Sequence, residues 1–130
     1  MKVLVDDNVW SLGCNMISPA SALDVVLYPW FYSATGHYEY IRDVRSPQLR
    51  NSRDIVVYLP PSYAENTLKS ISNVLVMHDG QNLFNESTSA FGCWHCDQTA
   101  DANIMAGAVE ELAIVGVDNT DDRTNELTYA

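Results

Sequence analysis

Two apolar runs, each ending in a knot of polar and turn-forming residues, constrain this chain most. The first is VLVMHDGQN, residues 74–82, and the second is ELAIVGVDN, residues 111–119. Residues 74–77 and 112–117 are continuously apolar rather than alternating. That is the pattern of strands buried on both faces, as in the centre of an α/β sheet. Between them lies a stretch at 81–96 rich in Asn, Ser, Thr and Gly, read as a long loop of the kind that often carries function. A helical pattern follows, with Asp97 as N-cap, Ala100, Ile104 and Ala108 near one face and Met105 beside them. Gly107 either closes that helix or permits close packing. Strand, loop, helix and strand make a βαβ unit, whose two strands are parallel. Parallel strands bring their carboxyl ends to one rim, where ligands of open α/β sheets bind. HDGQN (78–82) and DNTDDR (118–123) are therefore expected side by side.

The preceding segment reads as a hairpin. In GHYEYIRDV (36–44), Tyr38, Tyr40 and Arg42 point one way, and Glu39, Ile41 and Asp43 the other. After the turn-rich SPQLRNS (46–52), RDIVVYLP (53–60) has the β-branched and aromatic content of a strand and stops at Pro60-Pro61. PSYAENTLKSIS (61–72) is a loop with one helical turn at most. Nearer the N-terminus the pattern is weak. NVWSLGCN (8–15) reads as a short strand and turn, SPASA (18–22) as a loop. DVVLYPWFY (24–32) is an aromatic run that Pro29 restricts to a sheet edge or strand end.

Composition removes several function classes. The 130 residues suffice for one modest domain, and 47% hydrophobic with 18% charged residues fits a globular chain. The formal net charge is −10, with seven scattered Lys and Arg. A nucleic-acid partner, which needs a basic stripe, is not expected. No apolar run approaches the ~20 residues of a membrane span, and MKVLVDDNVW lacks the apolar core of a signal peptide.

Local motifs leave alternatives open. CWHC (93–96) has the spacing of a dithiol or half a zinc site, but its flanks are not the strand-then-helix setting of a thioredoxin motif. Buried or incidental thiols are the plainer reading. His78 reads either as a base or as a structural hydrogen-bonder at a strand end. Asp118, Asp121 and Asp122 read either as cation ligands or, without EF-hand spacing, as turn and cap residues. GxGxxG and GxxxxGK[ST] are absent, so nucleotide binding has no motif behind it. No Ser lies in GxSxG, and Ser62 in PPSY follows two prolines without an elbow.

Four blocks taken together do more. RDIVVYLPPSY, VLVMHDGQNLF, FGCWHCDQT and IVGVDNTDDRTNELTY resemble, in order and spacing, the N-terminal half of the putative esterase family. This is a group of α/β-hydrolases that includes esterase D-like, feruloyl and enterochelin esterases and mycolyl transferases. The resemblance covers residues 50–130. Residues 1–49 look like an approach segment that could follow a carbohydrate-binding module.

The resemblance implies an α/β fold in which an antiparallel hairpin leads into a parallel βαβ unit, with the sheet incomplete. It implies a serine carboxylic-ester hydrolase acting through a Ser–His–Asp/Glu triad and a backbone oxyanion hole, without metal or cofactor. The substrate would be a small-molecule or carbohydrate-linked ester. Gln81 would give one oxyanion donor through its backbone N–H, with Gly80 permitting the turn and His78 and Asp79 shaping it. Trp94 matches an aromatic position near the cleft. Arg123 and Glu126 match an R-x-x-E pattern, read either as an ion pair fixing the loop or as Arg123 at the substrate rim. GxSxG, the triad acid and the triad His do not occur in the sequence, so the chain is expected to be a fragment, inactive alone. Two other classes compete: a non-catalytic carbohydrate-binding or interaction domain using Trp10, Trp30 and the Tyr-rich stretch 28–40, and a CxxC metal or redox protein.

Overall fold

The computed structural model describes residues 2, 4–6, 9–16 and 26–128. Two short strands, β1 (Leu4–Asp6) and β2 (Val9–Trp10), form an antiparallel ribbon. The main sheet contains β3 (His37–Ser46), β4 (Asn51–Leu59), β5 (Asn73–His78) and β6 (Leu112–Val117), in the order β3-β4-β6-β5. β3 and β4 form the expected hairpin, with Tyr38 opposite Tyr58 and Tyr40 opposite Val56. A bulge between Ile41 and Val44 puts Asp43 at φ 53°. Asp54 secures it, accepting from the Asp43 N–H at 2.9 Å and the Arg42 guanidinium at 2.5 Å. The central strand β6 pairs antiparallel with β4 and parallel with β5.

One face of this sheet carries the core. Val56 and Tyr58 of β4 and Ile114 of β6 meet Leu83 and Phe84 from the loop after β5, and Ala100 and Ile104 from helix α1 (Cys96–Ala106). Tyr38 stacks on Phe84 with centroids 5.3 Å apart. Each fully buried aliphatic side chain contributes roughly 1.5–3 kcal/mol relative to exposure, so these few residues hold the layers together.

Carboxylates secure the rest. Glu65 accepts the N–H groups of Phe31, Tyr32 and Ser33 at 2.7–2.9 Å. Asp101 accepts the Gly36 N–H and the Tyr58 hydroxyl at 2.7 and 2.8 Å. Burial, followed by that bond to Asp101, pushes the Tyr58 phenol far above its usual range. Glu111, at the head of β6, accepts from the backbone and hydroxyl of the buried Ser62 and pairs with Lys69. An acidic chain thus uses its carboxylates as staples for backbone donors that would otherwise be buried unpaired.

Several expectations change. The run at 74–77 is not a strand covered on both faces. β5 is the outermost strand, and Val74, Leu75 and Val76 are exposed, Val76 at 65%. An apolar strand is covered only where a neighbour and two layers exist, and β5 has β6 alone beside it. The sheet is open and incomplete at this edge.

The helix is capped by His95 in the left-handed region (φ 51°), without a side-chain bond, and Asp97 lies inside its first turn. There Asp97 favours the positive end of the helix dipole rather than capping it. Ala100 and Ile104 are buried as expected, whereas Ala108 falls beyond the helix, because Gly107 (φ 70°) closes it. The segment after Pro60 forms turns. Residues 26–32 have no regular structure, and the remainder of DVVLYPWFY and SPASA lies outside the described residues. Among the described residues no helix is long and apolar enough to cross a membrane.

Candidate active site

Parallel pairing aligns Asn73 with Leu112 and His78 with Val117, so both strands end on one rim and their polar clusters are neighbours. Beyond β5, Asp79 takes the left-handed conformation (φ 56°, ψ 46°), which a short polar side chain tolerates better than most. A single 3₁₀ turn, Gly80–Asn82, follows, with Asn82 N–H bonded to the Asp79 carbonyl and Leu83 N–H to the Gly80 carbonyl. Gly80 is buried against β6. A Cβ on it would lie 2.6 Å from Asp118 Oδ1 and 2.7 Å from the Gly116 carbonyl carbon, so no other residue fits. Gly116 is equally enclosed, with Gly80 Cα 2.9 Å from where its Cβ would be. The turn therefore sits directly on the end of β6, a close approach that two facing glycines permit.

The turn is fixed from several sides. The Gln81 side-chain amide donates to Asn119 Oδ1 and accepts the Asn119 N–H at 3.3 Å. The Gln81 carbonyl accepts the Thr88 hydroxyl at 2.7 Å. Asn82 accepts the Ala90 N–H through its side chain and the Trp94 N–H through its carbonyl, while Leu83 accepts the Cys96 N–H at 2.9 Å. The stretch 81–96 is thus a laced loop rather than a slack one. The backbone N–H of Gln81, at the start of the turn, takes no acceptor among the described residues.

Arg123 and Glu126 do not pair with each other. Both lie on a short helix α2 (Arg123–Leu127), absent from the sequence reading, in which Glu126 N–H bonds the Asp122 carbonyl. Arg123 forks onto Asp79, Nε to Oδ1 at 2.8 Å and Nη2 to Oδ2 at 2.6 Å. That bond is the main cause holding the Asp79 carboxyl below its ordinary range. Glu126 meets Arg53 of β4 through two bonds of 2.6 and 3.1 Å and also accepts the Thr120 hydroxyl. Two separate ion pairs thus tie the second rim cluster down, one to β5 and one to β4. The role of Arg53 has no sequence signal, because nothing in a strand arginine points to a partner 73 residues away.

Asp118 has a different setting. Burial, with the Asp54 carboxylate nearby, pushes its carboxyl up, and its Oδ1 is buried without a hydrogen-bond partner. His78 is exposed at the end of β5. Trp94 is 65% exposed and stands at one side of an apolar groove of about 360 Å³, lined also by Leu75, Met77, Cys96, Ala100 and Ile114. Cys14, Cys93 and Cys96 are free thiols, and burial raises the Cys96 thiol. Among the described residues no three His, Cys, Asp or Glu side chains gather as metal ligands. Trp30 packs against the core and donates to the Ser33 carbonyl, whereas Trp10 and Tyr32 are exposed.

Residues 46–130, more than half of the chain, match the family described as Putative esterase. The chain belongs to that family. Among solved structures it is similar to a ferulic acid esterase, at 18% identity and a TM-score of 0.51, over 67% of this chain and 31% of that one. At this identity the likeness concerns the fold: an antiparallel hairpin leading into a parallel βαβ unit, the N-terminal part of an α/β-hydrolase sheet. The chain spans about a third of the length of that esterase. No curated protein is matched.

Proposed function

We propose that these residues carry the oxyanion side of a serine carboxylic-ester hydrolase site. Gln81 donates its backbone N–H to the oxygen that becomes negative in the tetrahedral intermediate, and a second N–H follows a nucleophilic Ser supplied outside residues 1–130. In the reaction the Ser hydroxyl loses its proton to the triad His as Oγ bonds the ester carbonyl carbon. The electron pair of the carbonyl moves to its oxygen, and fixed N–H dipoles oppose that charge without having to reorient. Losing one such donor typically costs ~3–4 kcal/mol of transition-state stabilisation. Trp94 and the groove beside it would receive part of the ester, and Arg123 would shape the rim through Asp79.

The observation that carries this reading is the free Gln81 N–H on a turn held rigid by its own side chain, its carbonyl and the enclosed Gly80. Membership of the Putative esterase family supports the reaction class. Residues 1–130 alone are expected to leave p-nitrophenyl acetate at the background rate. Hydrolysis above background, abolished by a Ser substitution, would overturn the fragment reading. In an active protein containing this segment, Gln81→Pro removes the N–H. Because it also opens the side-chain ring to Asn119, it is compared with Gln81→Ala, which opens the ring but keeps the N–H. Relative to that variant it is expected to lower kcat by about a hundredfold or more. Unchanged kcat would remove Gln81 from the mechanism.

A further inference from the structure

The rim contains a contact that neither the family match nor the motif assigns. The Gln81 side chain closes a two-bond ring with Asn119: its Nε2 donates to Asn119 Oδ1, and its Oε1 accepts the Asn119 N–H at 3.3 Å. Asn119 is itself anchored, its Nδ2 donating to the Thr120 carbonyl at 2.7 Å. Thr120 in turn accepts nothing from Gln81 but bonds Glu126, which Arg53 of β4 holds. A continuous chain of polar contacts therefore runs from β4 through Glu126 of α2, Thr120 and Asn119 to Gln81, whose backbone N–H takes no acceptor among the described residues.

We propose that Asn119 is a positioning residue for the oxyanion turn: it fixes the orientation of the Gln81 peptide by gripping the Gln81 side chain. The proposal rests on the oxyanion reading of Gln81. A backbone donor cannot be tuned by its own chemistry, only by what orients its plane. The Gly80 end of that peptide has no side chain to anchor. The Gln81 carbonyl bond to Thr88 fixes the following peptide rather than this one. The 80–81 peptide is held at its carbonyl by the Leu83 N–H at 3.1 Å, and its other hold is the Gln81 Cα, which its side chain ties to the residue following β6. This explains in physical terms why a long amide suits position 81 although its head group faces Asn119. Glu would lose the Nε2 donor and set a carboxylate against Asn119 Oδ1, and Ala would leave the ring open.

Two variants separate positioning from folding. Asn119→Asp keeps an acceptor for Gln81 Nε2 but loses the Nδ2 donor to Thr120, whereas Asn119→Ala removes both; each keeps the backbone N–H. In the 130-residue chain, NMR of the Gln81 side-chain amide is expected to give dispersed, slowly exchanging protons in the wild type and Asn119→Asp. Averaged, fast-exchanging protons are expected in Asn119→Ala. In an active esterase containing this segment, Asn119→Ala is expected to lower kcat on the order of tenfold with KM nearly unchanged, and Asn119→Asp to lower it less. Equal kcat in wild type and Asn119→Ala would overturn the proposal. A parallel loss in kcat and melting temperature, unrescued by Asp, would also overturn it, because that is a purely structural role. If the native protein hydrolyses no ester, the oxyanion reading falls and the NMR result alone decides: an unperturbed Gln81 amide in Asn119→Ala then overturns the grip, and a released one sustains it.

Discussion

β5 and β6 are written in nearly the same language and live in different surroundings. Both are six-residue strands with an apolar run, each is followed by an Asp in a polar cluster, and they pair in register with Leu75 against Ile114 and Val76 against Val115. Yet Ile114 is 3% exposed and Leu75 45%. β6 has a strand on each side and the core against Ile114; β5 has one neighbour and an open edge. The difference teaches that an apolar run records which contacts a strand is made for, not which of them a given stretch of chain supplies. Ala113 and Ile114 of β6 are covered here, and Val74, Leu75 and Val76 of β5 face solvent.

The sharpest way to break this comparison is to truncate the paired residues. Ile114→Ala removes a buried side chain between Val56, Leu83 and Ile104 and is expected to cost about 3 kcal/mol. Leu75→Ala, trimmed at a half-exposed edge, is expected to cost about 1 kcal/mol or less. Urea unfolding of the two variants checks it, and equal losses would mean that β5 is covered in solution.

Covering by a second copy is the next effect in size. An apolar strand with a free edge pairs readily with another chain. The 130-residue chain is expected to gain apparent mass with concentration in light scattering, despite its net charge of −10. Val76→Lys is expected to reduce that gain while leaving the melting temperature nearly unchanged, as charged residues do on natural sheet edges. A strictly monomeric wild type would show that the edge is protected by other means.

Much of the frame was legible because it depends on local pattern. The hairpin, both parallel strands, α1 and the shared rim follow from period, turn residues and the continuity of residues 74–77 and 112–117. The long-range chemistry was not. Nothing in DNTDDR tells that Asn119 grips Gln81, that Arg123 reaches back 44 residues to Asp79, or that Glu126 seeks Arg53 in another strand. Those choices depend on register and on α2, a five-residue helix too short for a periodic signal. Asp97 reads as a cap in the sequence because Asp caps many helices. The actual cap is a left-handed His95, set by the bonds that pull residues 94–96 onto the turn at Gly80–Asn82.

The smallest effect concerns the two aspartates that end the strands, and it follows the same divide. Asp79 after β5 is lowered, chiefly by the Arg123 fork, whereas Asp118 after β6 is raised, chiefly by burial. The signs are opposite. A carboxyl lowered in the folded state adds stability above its unfolded pKa of about 3.9 and loses it as pH falls through the folded value. A raised one adds stability below that unfolded pKa and loses it as pH rises through the folded value. Arg123→Gln is therefore expected to melt below wild type at pH 7, the gap closing as pH falls below about 4. Asp118→Asn is expected to melt above wild type at pH 7, because it removes a charge that burial opposes, and the gap also closes toward low pH. Melting curves from pH 3 to 8 check both. An Asp118→Asn variant less stable than wild type at pH 7 would mean that the ionised Asp118 has a stabilising partner. The rim of β6 would then be as ion-paired as the rim of β5.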